Sequence, residues 1–440
     1  MLLPLNRSLP ADDPMRLLLH NEVHARPPAR IRLPALITYV AVNNTDVSRA
    51  QECEHLRLLP GQEGLTPEQL QGSFLRLHLS GCTVKWERHT EFTRYSIVQP
   101  LPDAAGLGQH DPDLLRCLAV PMAWLASIPG HTFAAISMAM VIGPITQPQQ
   151  LLASSADWLG GQPVAASLTG HQGHSVVATD FRLRDNGFER ILVITSPDTT
   201  EGRADRIVSR LLELETYRLM ALRGLPVAKE LAPSLACAER NLADITAQLE
   251  DKSTSDQFLL DALIALAAGV ERANAKHSYR FSATHAYYAL VSQRIVALRE
   301  QPIPSARSIG DFMQRRLSPA IATVTATERR LSSLSDRITR ASALIRTRVD
   351  IAQERQNQQL LAKLTKGQEL QLRLQSTVER LSIAAISYYV VSLLLYVAKA
   401  GQEAGLPIHP ERAAGALIPL VMLGVWYTVR RIHKKLHAAH

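Results

Sequence analysis

The chain has 440 residues, 46% of them apolar and 20% charged, with a formal net charge of +8. That length exceeds a single compact core, and the composition is that of a globular chain, not a disordered or fibrous one. A mean hydropathy of −0.02 excludes a polytopic membrane protein but leaves room for one or two spans.

The opening MLLPLNRSLPADDP is broken by prolines and has no apolar run of signal-peptide length, so no leader is expected. Residues 1–200 then alternate apolar runs with turn signals. Strands are predicted over 35–42, 74–79, 83–98, 132–142, 175–183 and 188–195, which together make an α/β sandwich of six or seven strands. The run 83–98 alternates, with Lys85, Glu87, His89 and Glu91 on one face and Trp86, Arg88, Thr90 and Phe92 on the other. The stretch 118–142 lacks Asp, Glu, Lys and Arg, but Pro121, Pro129, Gly130 and His131 interrupt it and no basic cluster flanks it. It reads as a turn followed by a buried strand. After Thr199 and Thr200, residues 203–222 read as a helix with Ile207, Leu211, Leu214 and Leu222 facing inward, stopped by Gly224-Leu-Pro226. Cys53, Cys82, Cys117 and Cys237 lie far apart without a C-x-x-C pair, so neither a disulfide framework nor a zinc ribbon is indicated.

From about residue 228 the strand signals vanish. Helices are predicted near 229–250, 255–300 and 318–380, with Gln301-Pro-Ile-Pro304 as the last break. The final helix carries Leu331, Leu334, Ile338, Ala341, Ile345, Val349, Ala352, Leu360, Leu364, Leu374 and Val378 at spacings of threes and fours. It runs for about 60 residues, roughly 90 Å, and only Gly367 weakens it. A stripe of that length needs a partner surface, and self-association is the expected one.

Residues 318–380 hold eleven Arg or Lys against six acids, the tail adds Arg430, Arg431, Lys434 and Lys435, and residues 1–317 carry −1. The positive charge therefore flanks the two most apolar stretches, which points to a lipid bilayer and gives no reason to expect nucleic acid. Those stretches, 381–398 and 413–429, contain no Asp, Glu, Lys, Arg or His. As helices each spans roughly 25–27 Å, enough for a two-span hairpin with snorkelling flanks. The connecting 399–412 segment is neutral, so the positive-inside rule puts both termini in the cytoplasm of a bacterial inner-membrane protein. Ser382, Tyr389, Ser392, Tyr396 and Lys399 share one sector of the first span and are the candidate pore-lining residues, the alternative being a glue between helices.

The expected fold is α+β: a cytoplasmic α/β domain (1–226), a helical domain (227–317), a basic stalk helix (318–380), two transmembrane helices (381–398 and 413–429) around an outer loop (399–412), and a basic cytoplasmic tail (430–440). Chemistry is harder to find. Glu22, His24 and Arg26 crowd a proline-rich entry, and with Glu87, His89 and Glu91 they are candidates for a mixed N/O metal site. The other reading of the same residues is a salt-bridged network with Arg88 or Arg94. No G-x-S-x-G, P-loop, H-E-x-x-H or G-x-G-x-x-G occurs, so no catalytic residue, cofactor or enzymatic activity is indicated.

LHNEVHARPP at 19–28, VKWERHTEFTRY at 84–95 and RLLELETYRLMAL at 210–222, ahead of LSIAAISYYVVSLLLYVAKAG, resemble a bacterial family of membrane-anchored proteins of unknown function, over essentially the whole chain. That resemblance brings no functional residues with it. The architecture also resembles CorA-type divalent-cation transporters, which implies a pentamer with the first span lining a pore. Their Gly-Met-Asn signature is missing here, where Tyr396 is followed by Val397-Ala398-Lys399. Three functions are expected from these features: a homo-oligomer conducting an ion or small solute along the first span, a membrane-tethered binding or regulatory module, and a membrane-anchored metalloenzyme.

Overall fold

The computed structural model describes residues 13–16, 19, 30–170, 172–249, 254–304, 306–403 and 410–437. Among these, nine strands form one mixed sheet: β1 (Ala35–Asn43), β2 (Phe74–Leu79), β3 (Cys82–Arg88), β4 (Phe92–Pro100), β5 (His131–Ile142), β6 (Ala165–Thr169), β7 (Ser175–Thr179), β8 (Glu189–Thr195) and β9 (Gln301–Pro302). Their order is β2-β3-β4-β1-β5-β8-β7-β6-β9, and β5–β8 is its parallel pair. The central strands β1, β5 and β8 read as near-continuous apolar runs because both of their faces are covered.

The helices are α1 (Arg49–Arg57), α2 (Met122–Ala126), α3 (Pro148–Leu159), α4 (Glu201–Leu222), α5 (Gly224–Gln248), α6 (Asp256–Leu298), α7 (Ile309–Glu403) and α8 (Pro410–His437). One face of the sheet (Ile37, Tyr39, Met138, Val193) packs against Leu211 and Leu214 of α4, Val291 of α6 and Met313 of α7. The other face packs Val40 and Trp86 on Leu56 of α1 and Trp124 of α2, and Val141 and Ile194 on Trp158 of α3. The chain clusters into two units, Met1–Asp251 with Asp261–Arg340, and Lys252–Leu260 with Ala341–His440.

Local chemistry sets the boundaries. Ser48 and Gln51 form a capping box at α1, and the Thr200 side chain accepts the Arg203 N–H at 3.3 Å to start α4. Gly130 enters β5 at φ +110, where a Cβ would come within 2.5 Å of the Asn43 carbonyl oxygen.

The sequence expectation fails at the run 83–98. It is a hairpin, not one strand: β3 and β4 pair antiparallel with Glu87 opposite Arg94, so His89 and Glu91 lie in the turn, off the face of Glu87. The turn has no Gly or Pro. It is held from a distance, by the Asn44 side chain donating to the His89 carbonyl at 3.0 Å and to Thr93 Oγ1 at 3.1 Å. Gly224-Leu-Pro226 likewise ends α4 without opening a linker, because Pro226 falls in the first turn of α5, where no N–H is needed. α7 starts before residue 318 and accommodates Pro319 inside the helix.

One helix, Ile309–Gly401, contains an 18-residue window with mean hydropathy 2.0 and 6% burial, long and apolar enough to cross a membrane; Gly415–Val429 is a shorter apolar helical stretch.

Candidate functional site

The densest polar network is built on the β3–β4 hairpin. On one face Glu87, 1% exposed, pairs with Arg94 Nε at 2.6 Å and with Lys85 Nζ at 3.1 Å. Arg94 also reaches Glu213 of α4 at 3.7 Å, and Arg294 of α6 pairs with the same Glu213 at 2.6 Å. Beside it the hydroxyls of Tyr39 and Thr216 hydrogen-bond at 2.6 Å. Burial alone would raise the Glu87 carboxyl, but Arg94 and Lys85 outweigh it and hold the group at about 2. Burial pushes the Tyr39 phenol up to about 12. At the turn Glu91 pairs with Arg280 of α6. On the opposite face Glu52 of α1 accepts from Arg88 and from Thr93, both at 2.6 Å. These charges pair with one another, and the network braces the hairpin against α1, α4 and α6. Also on α1, His55 stacks on Trp124 with centroids 4.6 Å apart, and burial holds it at about 4, neutral at physiological pH.

A second constellation joins β8 to α4. Arg218 Nε donates to both carboxylate oxygens of Glu215, at 3.0 and 2.9 Å, and Arg218 lies 3.6 Å from Glu189. Two carboxyl groups thus share one guanidinium. Burial, and then the neighbouring Glu215, push Glu189 up to about 8. The Arg218 guanidinium sits over the Phe181 ring at 5.6 Å, and Phe181 stacks on Phe312 of α7 at 4.7 Å with planes 6° apart. Sequence reasoning missed this pair because its members are 26 residues apart on different elements. The available signal was Glu215 beside Leu211 and Leu214 on the inward face of the 203–222 helix.

A third feature is an open cleft of about 630 Å³ lined by Asp111, Arg116, Arg182, Arg184 and Arg190 among others. Asp111 sits between Arg184, at 3.2 Å, and Arg190, whose guanidinium lies over Trp158. Asp111 has φ +42, and a Cβ on Gly160 would come within 2.8 Å of its carboxyl carbon. Burial, together with Arg184, lowers the proton affinity of Arg190.

Of the candidates named from sequence, Glu87 and Glu91 enter the brace through different partners, and His89 stacks on Phe92 at 4.5 Å. Glu22, His24 and Arg26 lie outside the described residues. Among the described residues no group of three or more His, Cys, Asp or Glu side chains is arranged to hold a metal ion. On α7, Ser382, Tyr389, Tyr396 and Lys399 are exposed and Ser392 is half-buried, while Ser387 on another face is buried.

No curated protein matches the chain. A family described as a protein of unknown function, DUF3422, matches residues 11–436. The chain therefore belongs to that family.

Proposed function

We propose that this protein is a homo-oligomer of the bacterial inner membrane, of CorA-like architecture, with 381–398 and 413–429 as a two-span hairpin and both termini cytoplasmic. Copies assemble along α7, and an ion or small solute passes along the first span under control of the cytoplasmic part. The observation that carries this reading is on α7, where residues 350–378 are exposed all round and the apolar ones include a heptad-spaced stripe. Leu360, Leu364, Leu374, Val378 and Leu381 are all more than half exposed, and with Gly367 and Gln371 they follow a 4-3-4-3-4-3 spacing. That is the spacing a coiled-coil seam takes. A shared membrane orientation makes the copies parallel and in register, so the occupant of the seam is the same helix of another copy. In the apolar segment Tyr389 and Tyr396, 71% and 70% exposed, share their sector with Ser382 and Lys399 and give it the polarity of a protein- or water-facing surface. A ring of Lys399 side chains repels hydrated cations, which argues against a divalent cation as cargo.

The deciding experiment is the mass of the detergent-solubilised protein by light scattering, followed by flux into proteoliposomes. About four or more copies are needed to enclose water, and five follows from the CorA analogy. Flux that is lost on replacing Tyr389, Ser392 and Lys399 with leucine supports conduction, and unchanged flux removes it. A monomer or dimer leaves the hairpin as an anchor. The second reading, a tethered binding module, then gains weight, and the Asp111–Arg190 cleft is the observation in its favour.

A further inference from the structure

Where α4 meets the first turns of α7 there is a cavity of about 280 Å³ lined by Phe181, Arg218, Leu222, Phe312, Met313, Arg316 and Leu317. Its walls are apolar apart from the two arginines. Met313 and Leu317 are almost fully buried, and the stacked rings of Phe181 and Phe312 form one side. Phe181 is held at φ +50, a conformation that costs a bulky residue energy and that here brings its ring against Phe312.

Two cations meet this apolar space. Arg316 is exposed and makes no hydrogen bond or ion pair with any described residue. Arg218 gives its Nε and Nη2 to Glu215, which leaves its Nη1 without a hydrogen bond among the described residues. Behind Arg218, Glu215 takes two of its nitrogens and Glu189 lies 3.6 Å away, so the Arg218 guanidinium is already paired. Among the described residues no acid pairs with Arg316, so its positive charge at the cavity has no ion-pair partner there. Apolar walls with a few convergent donors are the usual composition of a small-molecule site. On the scale of a 150 Å³ cavity that admits benzene, this one takes about eleven heavy atoms.

We infer that this cavity binds a small organic monoanion, a carboxylate on an apolar body of aromatic or short alkyl type. The body lies among Phe181, Leu222, Phe312 and Leu317, and the carboxylate accepts hydrogen bonds from Arg316 and from Nη1 of Arg218. The inference rests on the cavity and its charges, and stands apart from the oligomer and conduction readings.

The test is isothermal titration of the full chain in detergent with 3-phenylpropanoate, against empty micelles as the blank and against the neutral 3-phenylpropanamide. Saturable binding at one site per chain is expected, with the amide and the Arg316→Gln variant each at least about tenfold weaker. Leu222→Trp, which fills the cavity, should abolish it. Arg316 is exposed, so its replacement leaves the fold intact, and an unchanged melting temperature checks this. No saturable binding to the folded protein, equal binding of acid and amide, or binding indifferent to Arg316→Gln each overturns the inference.

Discussion

Glu87 and Arg94 face each other across the β3–β4 ladder, joined at 2.6 Å with both side chains out of water. Each leans mainly on the other at that depth. Arg94→Gln leaves the buried Glu87 carboxylate with Lys85 alone and should cost about 3 kcal/mol of stability, whereas Glu87→Leu with Arg94→Met should recover most of that loss. Urea unfolding followed by circular dichroism measures both.

Glu189 gives the opposite pH signature to an ordinary surface acid. Its proton is held more tightly in the folded chain than in the unfolded one, so folding takes up a proton between the normal carboxyl range and about 8. Stability should fall as pH rises through that window and level off above it. Glu189→Gln should flatten the slope and raise the melting temperature at pH 8.5 relative to wild type, by about 1–1.5 °C for each kcal/mol recovered in a chain of this size. A wild-type melting profile flat between about pH 6.5 and 8, above the range where His55 opposes it, would sink the prediction.

His55 and Glu87 act on the acid side. Burial keeps folded His55 neutral down to about 4, so protons bind the unfolded chain first and stability drops as pH falls from the normal histidine range toward that value. Glu87 adds a later loss, from the normal carboxyl range down to about 2. Below about pH 6.5 the His55 loss runs against the gain from Glu189, so the two-stage acid denaturation curve should show in the Glu189→Gln background, where adding His55→Gln should remove the first stage. Fluorescence of Trp124, stacked on His55, is a local reporter of that stage.

The seam on α7 can be broken without touching the sheet. Leu364→Asp with Leu374→Asp places charge at two exposed positions of the stripe, so the secondary structure should stay unchanged while the mass by light scattering falls to that of a single chain. Leu344→Asp, also exposed but off the seam, should leave the mass unchanged.

Much of the fold was legible in the sequence. The runs predicted at 74–79, 132–142 and 188–195 match β2, β5 and β8 to within a residue, because alternation or continuous apolar character is a local signal. The N-cap at Thr200 was legible for the same reason. The hairpin turn at 89–91 was not, since Asn44 enforces it from another part of the chain and an uninterrupted period of two looks like one long strand. β6 and helices α1 and α3 were missed because they are short and weakly patterned. At the level of sites, Glu87, Glu91 and Arg94 stood out by composition, whereas Glu189–Glu215 and Asp111–Arg190 pair across long separations that no spacing rule reaches.

The two ends of the sheet are finished differently, and this bears on aggregation. β9 is only two residues long and closes on Pro302, which has no N–H to offer, so a foreign strand finds no ladder to extend there. At the far edge β2 carries Arg76, its guanidinium over the Phe74 ring, and His78 on the same face, which places cationic and polar groups where an incoming strand would dock. Fibrillar, amyloid-type stacking is therefore discouraged at both margins while the sheet stays folded. If the purified protein precipitates, the physical place to look is the uncovered apolar helix, and added detergent should cure it where β-breaking substitutions would not.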